Sequence, residues 1–504
     1  MTGDLLYQRE LARRHQREVQ QGLNAPIISE TLRDQRLVAV GNRIYYSSKW
    51  KTFHDFLWYY PGYVFGDEWV KAEMAKPERE RHPVFQLRQR VGAFLQSHQK
   101  GTGEINSAPM NGDVETFFRL AYHLYLVNHN CRLPEDVLKR LRDKNLYHGA
   151  AHEIYVTATF LKAGFKVTYE NERDSTRSHC EFTAEHKATG KKFSVEAKAR
   201  TVETTRMRDR LTEALLKKAD HPLIAWIAIN APAANSQAGM DVLKDAMKEL
   251  RDREARAVAE GQALQPAYVI VSNNPHLFAG DSTDYVSSLF ADGFKIPDFK
   301  IGQRFYSTRE MRLTREKHRA MYDLLSSIRT HAQIPTTFDG EDPDLAFRSG
   351  PPRMEIGQMY EVPDEGRMVT ATLEDATVNA PEKTVYGIYR TVEGRRIIVT
   401  NPLTDAEMAA YARHPDTFFR VIKRDTGQKM RDPLDFYDFS RPVYGKTPKE
   451  KLLEFMEGAS DIEHLKTLSQ SELADIYCER LADSVYRQEQ LAREAILSGN
   501  ERPL

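Results

Sequence analysis

Cysteine is scarce in this chain. Only Cys131, Cys180 and Cys478 occur among 504 residues. Their number and spacing exclude a disulfide framework and a Cys-based zinc knuckle, so reduced thiols are expected. Long apolar runs are missing as well. The longest, LIAWIAI at residues 223–229, falls far short of the roughly 18 residues that a membrane-spanning helix needs, so no membrane association is expected. The first residues, MTGDLLYQRELARRHQREV, contain no apolar segment of the kind a secretory signal requires, which predicts a cytoplasmic protein. Net charge is absent too: 72 Lys and Arg balance 72 Asp and Glu. Any nucleic-acid partner must then be held by a local basic surface, because the global field supplies no attraction.

What is present suffices for several folding units. At roughly 150 residues per domain, the length predicts about three. Residues 1–145 read as a helical N-terminal domain, with apolar residues at three- and four-residue spacing as in VETFFRLAYHLYLVNH. Its aromatic segment WKTFHDFLWYYPGYVFGDEW is either a platform for stacked bases or, more simply, core. Residues 146–330 alternate between helix and strand. A helix over 148–163 ends at Gly164 and is followed by strands FKVTYE, HCEFTA and KFSVEAKA, with a turn at Thr189-Gly190. A helix over 202–218, the strand LIAWIAI, a helix over 240–260 and the strand AYVIVS complete a predicted three-layer α/β/α unit with a mixed sheet. The stretch 331–354, rich in Pro, Gly and Asp, reads as a linker. A small β-rich domain over 355–445 and a C-terminal helical unit over 446–504 follow. Capping boxes at Thr447–Glu450 and Ser469–Glu472 each predict a helix start in the last unit. The fold class is therefore multidomain α+β and α/β.

The chemistry concentrates around SVEAK. On a strand, Ser194, Glu196 and Lys198 share one face. A hairpin turning over Lys187 to Gly190 makes opposing residue numbers sum to about 377, which sets Glu181 across from Glu196. Two carboxylates so placed repel unless a cation or a proton intervenes. Oxygen ligands without Cys or His suit Mg²⁺, or Mn²⁺, better than zinc. Glu153, on the preceding helix, either favours that helix's dipole or closes the metal site from above.

This order and spacing, over roughly 147–272, resembles the PD-(D/E)XK nuclease superfamily, the restriction-endonuclease-like fold. The resemblance implies that Glu181 and Glu196 hold the metal, Lys198 positions the attacking water and Glu153 is an auxiliary acid and ligand. One departure is that Cys180-Glu181 replaces the family's Pro-Asp. The implied activity is metal-dependent hydrolysis of phosphodiester bonds, with DNA the favoured substrate and phage defence or DNA repair the setting. Between residues 186 and 218, ten Lys or Arg face four acids, a local surplus of six positive charges in a neutral protein. Arg200, Arg206 and Arg208, with Lys191 and Lys192, are the candidate nucleic-acid contacts, and a solvated helix face is the plainer alternative. A different reading keeps the fold without catalysis, as a degenerate scaffold that binds nucleic acid or a protein partner. A homo-oligomer is also compatible with the sequence.

Overall fold

The structure is a computed structural model of the chain and describes residues 2–99, 101, 105–170, 179–199, 207–341, 354–413, 415, 418–419 and 432–497. It is a multidomain α+β protein. By backbone contacts the chain divides into two compact units: Met1–Pro297 with Asp323–Asp425, and Asp298–Tyr322 with Thr426–Leu504. The stretch Asp298–Tyr322, which the sequence groups with residues 146–330, thus falls in the second unit. Part of the expected linker, residues 342–353, lies outside the described residues.

The first unit begins with helix α1 (Thr2–Gln21) and then departs from the all-helical expectation. Strands β1 (Ile28–Leu32), β2 (Gln35–Val40) and β3 (Arg43–Ser47) form an antiparallel sheet. Arg33 and Asp34, both at positive φ, make the tight turn between β1 and β2, a geometry that matches the twist of paired strands. Helix α2 (Phe53–Phe65) starts at a capping box in which the Thr52 side chain and Asp55 bond reciprocally to the backbone. Its aromatic segment is core: Phe53, Phe56, Tyr60 and Phe65 are buried, and Phe53 meets Tyr122 and Tyr125, further along the chain, edge-on. Helices α3 (Asp67–Met74), α4 (Pro83–Ser97), α5 (Gly112–Asn130) and α6 (Glu135–Arg142) lead to α7 (Tyr147–Lys162). Gly164, at φ +80, closes α7 in a conformation that side chains disfavour.

The central sheet then runs β4 (Phe165–Tyr169), β5 (Phe182–His186), β6 (Lys192–Ala199), β7 (Leu223–Ala228), β8 (Ala267–Asn273) and β9 (Ser288–Phe294), in that spatial order. Strands β4, β5 and β6 form an antiparallel meander, β6, β7 and β8 are parallel, and β9 returns antiparallel. The β9 strand is an addition to the sequence reading. Helix α8 (Arg208–Leu215) makes the first crossover and α9 (Ser236–Ala259) the second. Every residue of β7 is buried, as expected for a parallel strand covered on both faces. Leu223, Ala225 and Ile227 pack with Leu211, Leu215, Ala246 and Leu250 of α8 and α9. Trp226 takes the other face, where Tyr155 and Phe160 of α7 approach it with ring centroids at 5.6 and 6.3 Å. The unit is therefore three layers, α7 against one face and α8 and α9 against the other.

Past α12 (Arg319–Thr330), strands β10 (Met359–Asp364), β11 (Arg367–Asn379), β12 (Thr384–Thr391) and β13 (Arg396–Pro402) make a second antiparallel sheet. Leu373, Val385 and Tyr389 pack there with Ala410 of the helix Asp405–Arg413.

The second unit is helical among its described residues. Arg315 of α11 (Thr308–Lys317) holds Asp438 through two nitrogens, at 2.6 and 2.7 Å. Its helix Gln470–Leu497 opens at the expected capping box, with Ser469 and Glu472 bonded reciprocally. The box expected at Thr447 does not form, because Pro448 caps the helix Lys449–Phe455 without a side-chain bond.

Trp226 joins both layers on its face and donates its indole N–H to Ser272 Oγ at 2.9 Å. Trp226→Ala is expected to cost about 3–5 kcal/mol, measured as a lowered urea midpoint.

Candidate active site

Strand β6 has neighbours on both sides and helices on both faces, so its residues from Phe193 to Ala197 are buried, while Lys198 near its end keeps 21% of its side chain exposed. Glu196 is opposite Ala225 in the parallel register, and Lys198 is opposite Ile227. Both therefore project from the α8 and α9 face. The Glu196 side chain is fully buried, and a buried carboxylate must be compensated. Lys198 Nζ lies 2.6 Å from Oε1 and Lys217 Nζ 3.6 Å from the same oxygen. Neither oxygen has a hydrogen bond of good geometry, so charge is what balances this group. Burial would pull the Lys198 pKa down. Glu196, with smaller contributions from Glu181 and Glu213, outweighs burial and holds the pKa above the ordinary lysine value, so the ammonium persists at neutral pH.

Lys217 sits just past α8, and its Nζ also bonds to the His179 carbonyl at 2.9 Å, which ties this loop to the entry of β5. It belongs to the basic run but was not a candidate on sequence grounds. The signal that identifies it is tertiary, since α8 folds the chain back across β6.

The β5–β6 register sums to 377, as the turn predicts: Phe182 pairs with Val195 and Glu185 with Lys192. The pairing of Glu181 with Glu196 does not follow from it. The Glu181 N–H donates to the carbonyl of Val195 at 3.0 Å, although Val195 is already the partner of Phe182. Two residues thus oppose one, a β-bulge, and a bulge re-aims the side chain at its start. Partly exposed, Glu181 is felt electrostatically by Tyr169 on the α7 side and by Lys198 on the other.

Glu153 does not join Glu196. It lies buried on α7, the helix packed against the opposite face, and pairs with Arg140 of α6. A carboxylate on that layer is separated from Glu196 by the sheet itself. Among the described residues no three His, Cys, Asp or Glu side chains form a metal-holding group. Glu181 and Glu196 both act electrostatically on Lys198, and two carboxylates are a number that Mg²⁺ accepts when waters or phosphate oxygens complete its shell.

Of the basic candidates, Arg200 and Arg206 lie outside the described residues, and Arg208 is exposed at the start of α8. Lys191 and Lys192 do not border the site. They sit at the hairpin end of β6, and six residues of strand separate Lys192 from Lys198 by about 20 Å. Lys192 instead lies 3.9 Å from Glu185. Cys180, buried beside these groups, is no nucleophile: burial first, and then Glu196, push its thiol up to about 12, so it stays protonated. His179 contacts Glu170 at 3.3 Å.

No family model, curated protein or solved structure matches this chain.

Removing one member of a buried ion pair exposes the cost of the other. Lys198→Met is expected to destabilise the protein by about 3 kcal/mol. The double variant Glu196→Gln/Lys198→Met should recover most of that loss, with both read from urea unfolding curves.

Proposed function

We propose that this chain is a metal-dependent nuclease that hydrolyses phosphodiester bonds, with DNA as the favoured substrate and Mg²⁺ or Mn²⁺ as the ion. The observation that carries the reading is the fully buried Glu196 carboxylate with the Lys198 ammonium 2.6 Å away on the same strand face. The α-β-β-β-α-β order of α7 to β7, with its antiparallel meander and parallel crossover, supports it. Glu196 and Glu181 would hold the ion. The chemistry a bound dication supplies at such a site is stabilisation of charge on the phosphoryl oxygens and a lowered pKa for its water.

The chain's own residues divide the remaining work. Lys198, kept charged, places a cation where a phosphate oxygen or an attacking water is to be positioned. Lys217, bonded to the His179 carbonyl, adds a second positive charge from the loop after α8. Burial strengthens both interactions, because fewer waters screen them.

A second reading, a nuclease-fold scaffold that binds without cutting, is favoured by two observations. Glu196 is already neutralised by two ammonium groups, and the bulge turns Glu181 out of register with it. The two readings differ in what metal does. With Mg²⁺ or Mn²⁺, the nuclease should degrade or nick DNA, and Glu196→Gln and Lys198→Ala should each lower the rate by at least about a hundredfold while the protein stays folded. A folded wild-type protein that cuts nothing, and whose melting temperature does not respond to either ion, would instead establish the scaffold.

A further inference from the structure

On the other side of α7 lies a cavity of about 210 Å³. At roughly 10–15 Å³ for each water it could hold, this space is far larger than a structural water needs. It opens beyond the carboxyl ends of parallel strands β7 and β8, where Asn230 and Asn274 follow the strands, a position at which open α/β sheets commonly bind ligands. Helices α4, α5 and α7 form its walls with α10 (His276–Ala279). The α10 turn is fixed against α5, because the N–H groups of Gly112 and Asp113 donate to the carbonyls of Ser282 and Gly280 at 3.0 and 2.7 Å.

Two of the lining side chains have polar atoms with nothing to bond. His152 and His276 are only 7% and 6% exposed, yet among the described residues neither His152 Nε2 nor His276 Nδ1 has a hydrogen-bond partner. A buried polar atom left in this state costs free energy, so a ligand that bonds to it is favoured. The backbone of Trp226 approaches the His152 ring, and a neutral imidazole offers one donor and one acceptor nitrogen. Burial holds both rings neutral, each down to about 4, with Arg119 adding to the effect at His276.

The remaining walls define the ligand's body. Tyr147, Tyr155 and Phe278 offer ring faces and edges, and Leu277 and Phe278 are 40% and 44% exposed, apolar surface that an occupant would cover. Two guanidinium groups line the cavity, and each is paired through part of its fork with one carboxylate, Asp113 or Glu115. Arg90 is bonded to Asp113 at 2.7 and 2.8 Å and is half exposed, while Arg119 uses its Nε for Glu115. A flat ring with hydrogen-bonding nitrogens and an attached anion matches all of these features together.

We propose that this cavity binds a free purine nucleotide, its base against His152, His276 and the aromatic wall and its phosphate toward Arg90 and Arg119. The site is distinct from Glu196 and does not depend on the nuclease reading.

The test is isothermal titration of the full chain with AMP and with GMP in EDTA. Saturable binding of at least one is expected. His152→Leu should weaken it at least tenfold, and Ala151→Leu, which adds bulk to the lining, should weaken it likewise, each with the melting temperature recorded to verify folding. Four results would overturn the proposal: no binding of either nucleotide up to millimolar concentration, binding that appears only when Mg²⁺ is added, wild-type affinity in both folded variants, or tighter binding of an oligodeoxyadenylate than of AMP.

Discussion

A carboxylate without solvent must find positive charge within reach, and the surroundings of Glu196 are organised by that requirement. Strand β6 cannot move outward, since β5 and β7 flank it and helices cover both faces. The compensation must come to Glu196, and it arrives from two directions: Lys198 along the same strand and Lys217 from the loop after α8. Through the carbonyl of His179, Lys217 also secures the chain entering β5. The conformation of the 179–181 segment and the charge state of β6 are thus linked through one ammonium group.

Helix α7 is the second organising element, because its sides meet different neighbours. Tyr155 and Phe160 contact Trp226, Glu153 pairs with Arg140, and His152 turns toward the cavity beyond β7 and β8. Residues 152 and 153 are adjacent in sequence, yet about 100° of helical rotation separates their directions. A rigid helix with such a division can hold a charged residue and a neutral imidazole in separate environments without either disturbing the other.

Much of the central sheet was legible in the sequence because its signals are local. The turn at Thr189-Gly190 fixes the hairpin, Gly190 adopts φ +67, and the period of two then sets every pair from Phe182 to Glu185. Strand β6 spans the residues that the alternation indicates, Lys192–Ala199. The bulge at Glu181 was not legible, since it depends on one additional hydrogen bond to Val195 that no pattern of residue types specifies. Strands β1 to β3 were hidden for a different reason. Their turns, at Arg33-Asp34 and Gly41-Asn42, lie between short, largely exposed segments with little apolar alternation, flanked by long helices that dominate the periodicity. The cavity is less legible still, because its walls come from four helices and two strand ends spread over nearly two hundred residues.

The placement of tryptophan has an optical consequence. Three of the four indoles, Trp50, Trp58 and Trp69, belong to the N-terminal aromatic segment, which leaves Trp226 as the sole tryptophan of the six-stranded sheet. Its ring is fully buried, its N–H is bonded to Ser272, and it meets Tyr155, which also lines the cavity. With the other three replaced by phenylalanine, the emission of this one side chain would report on the packing of α7 against the sheet, a built-in fluorophore that needs no added label.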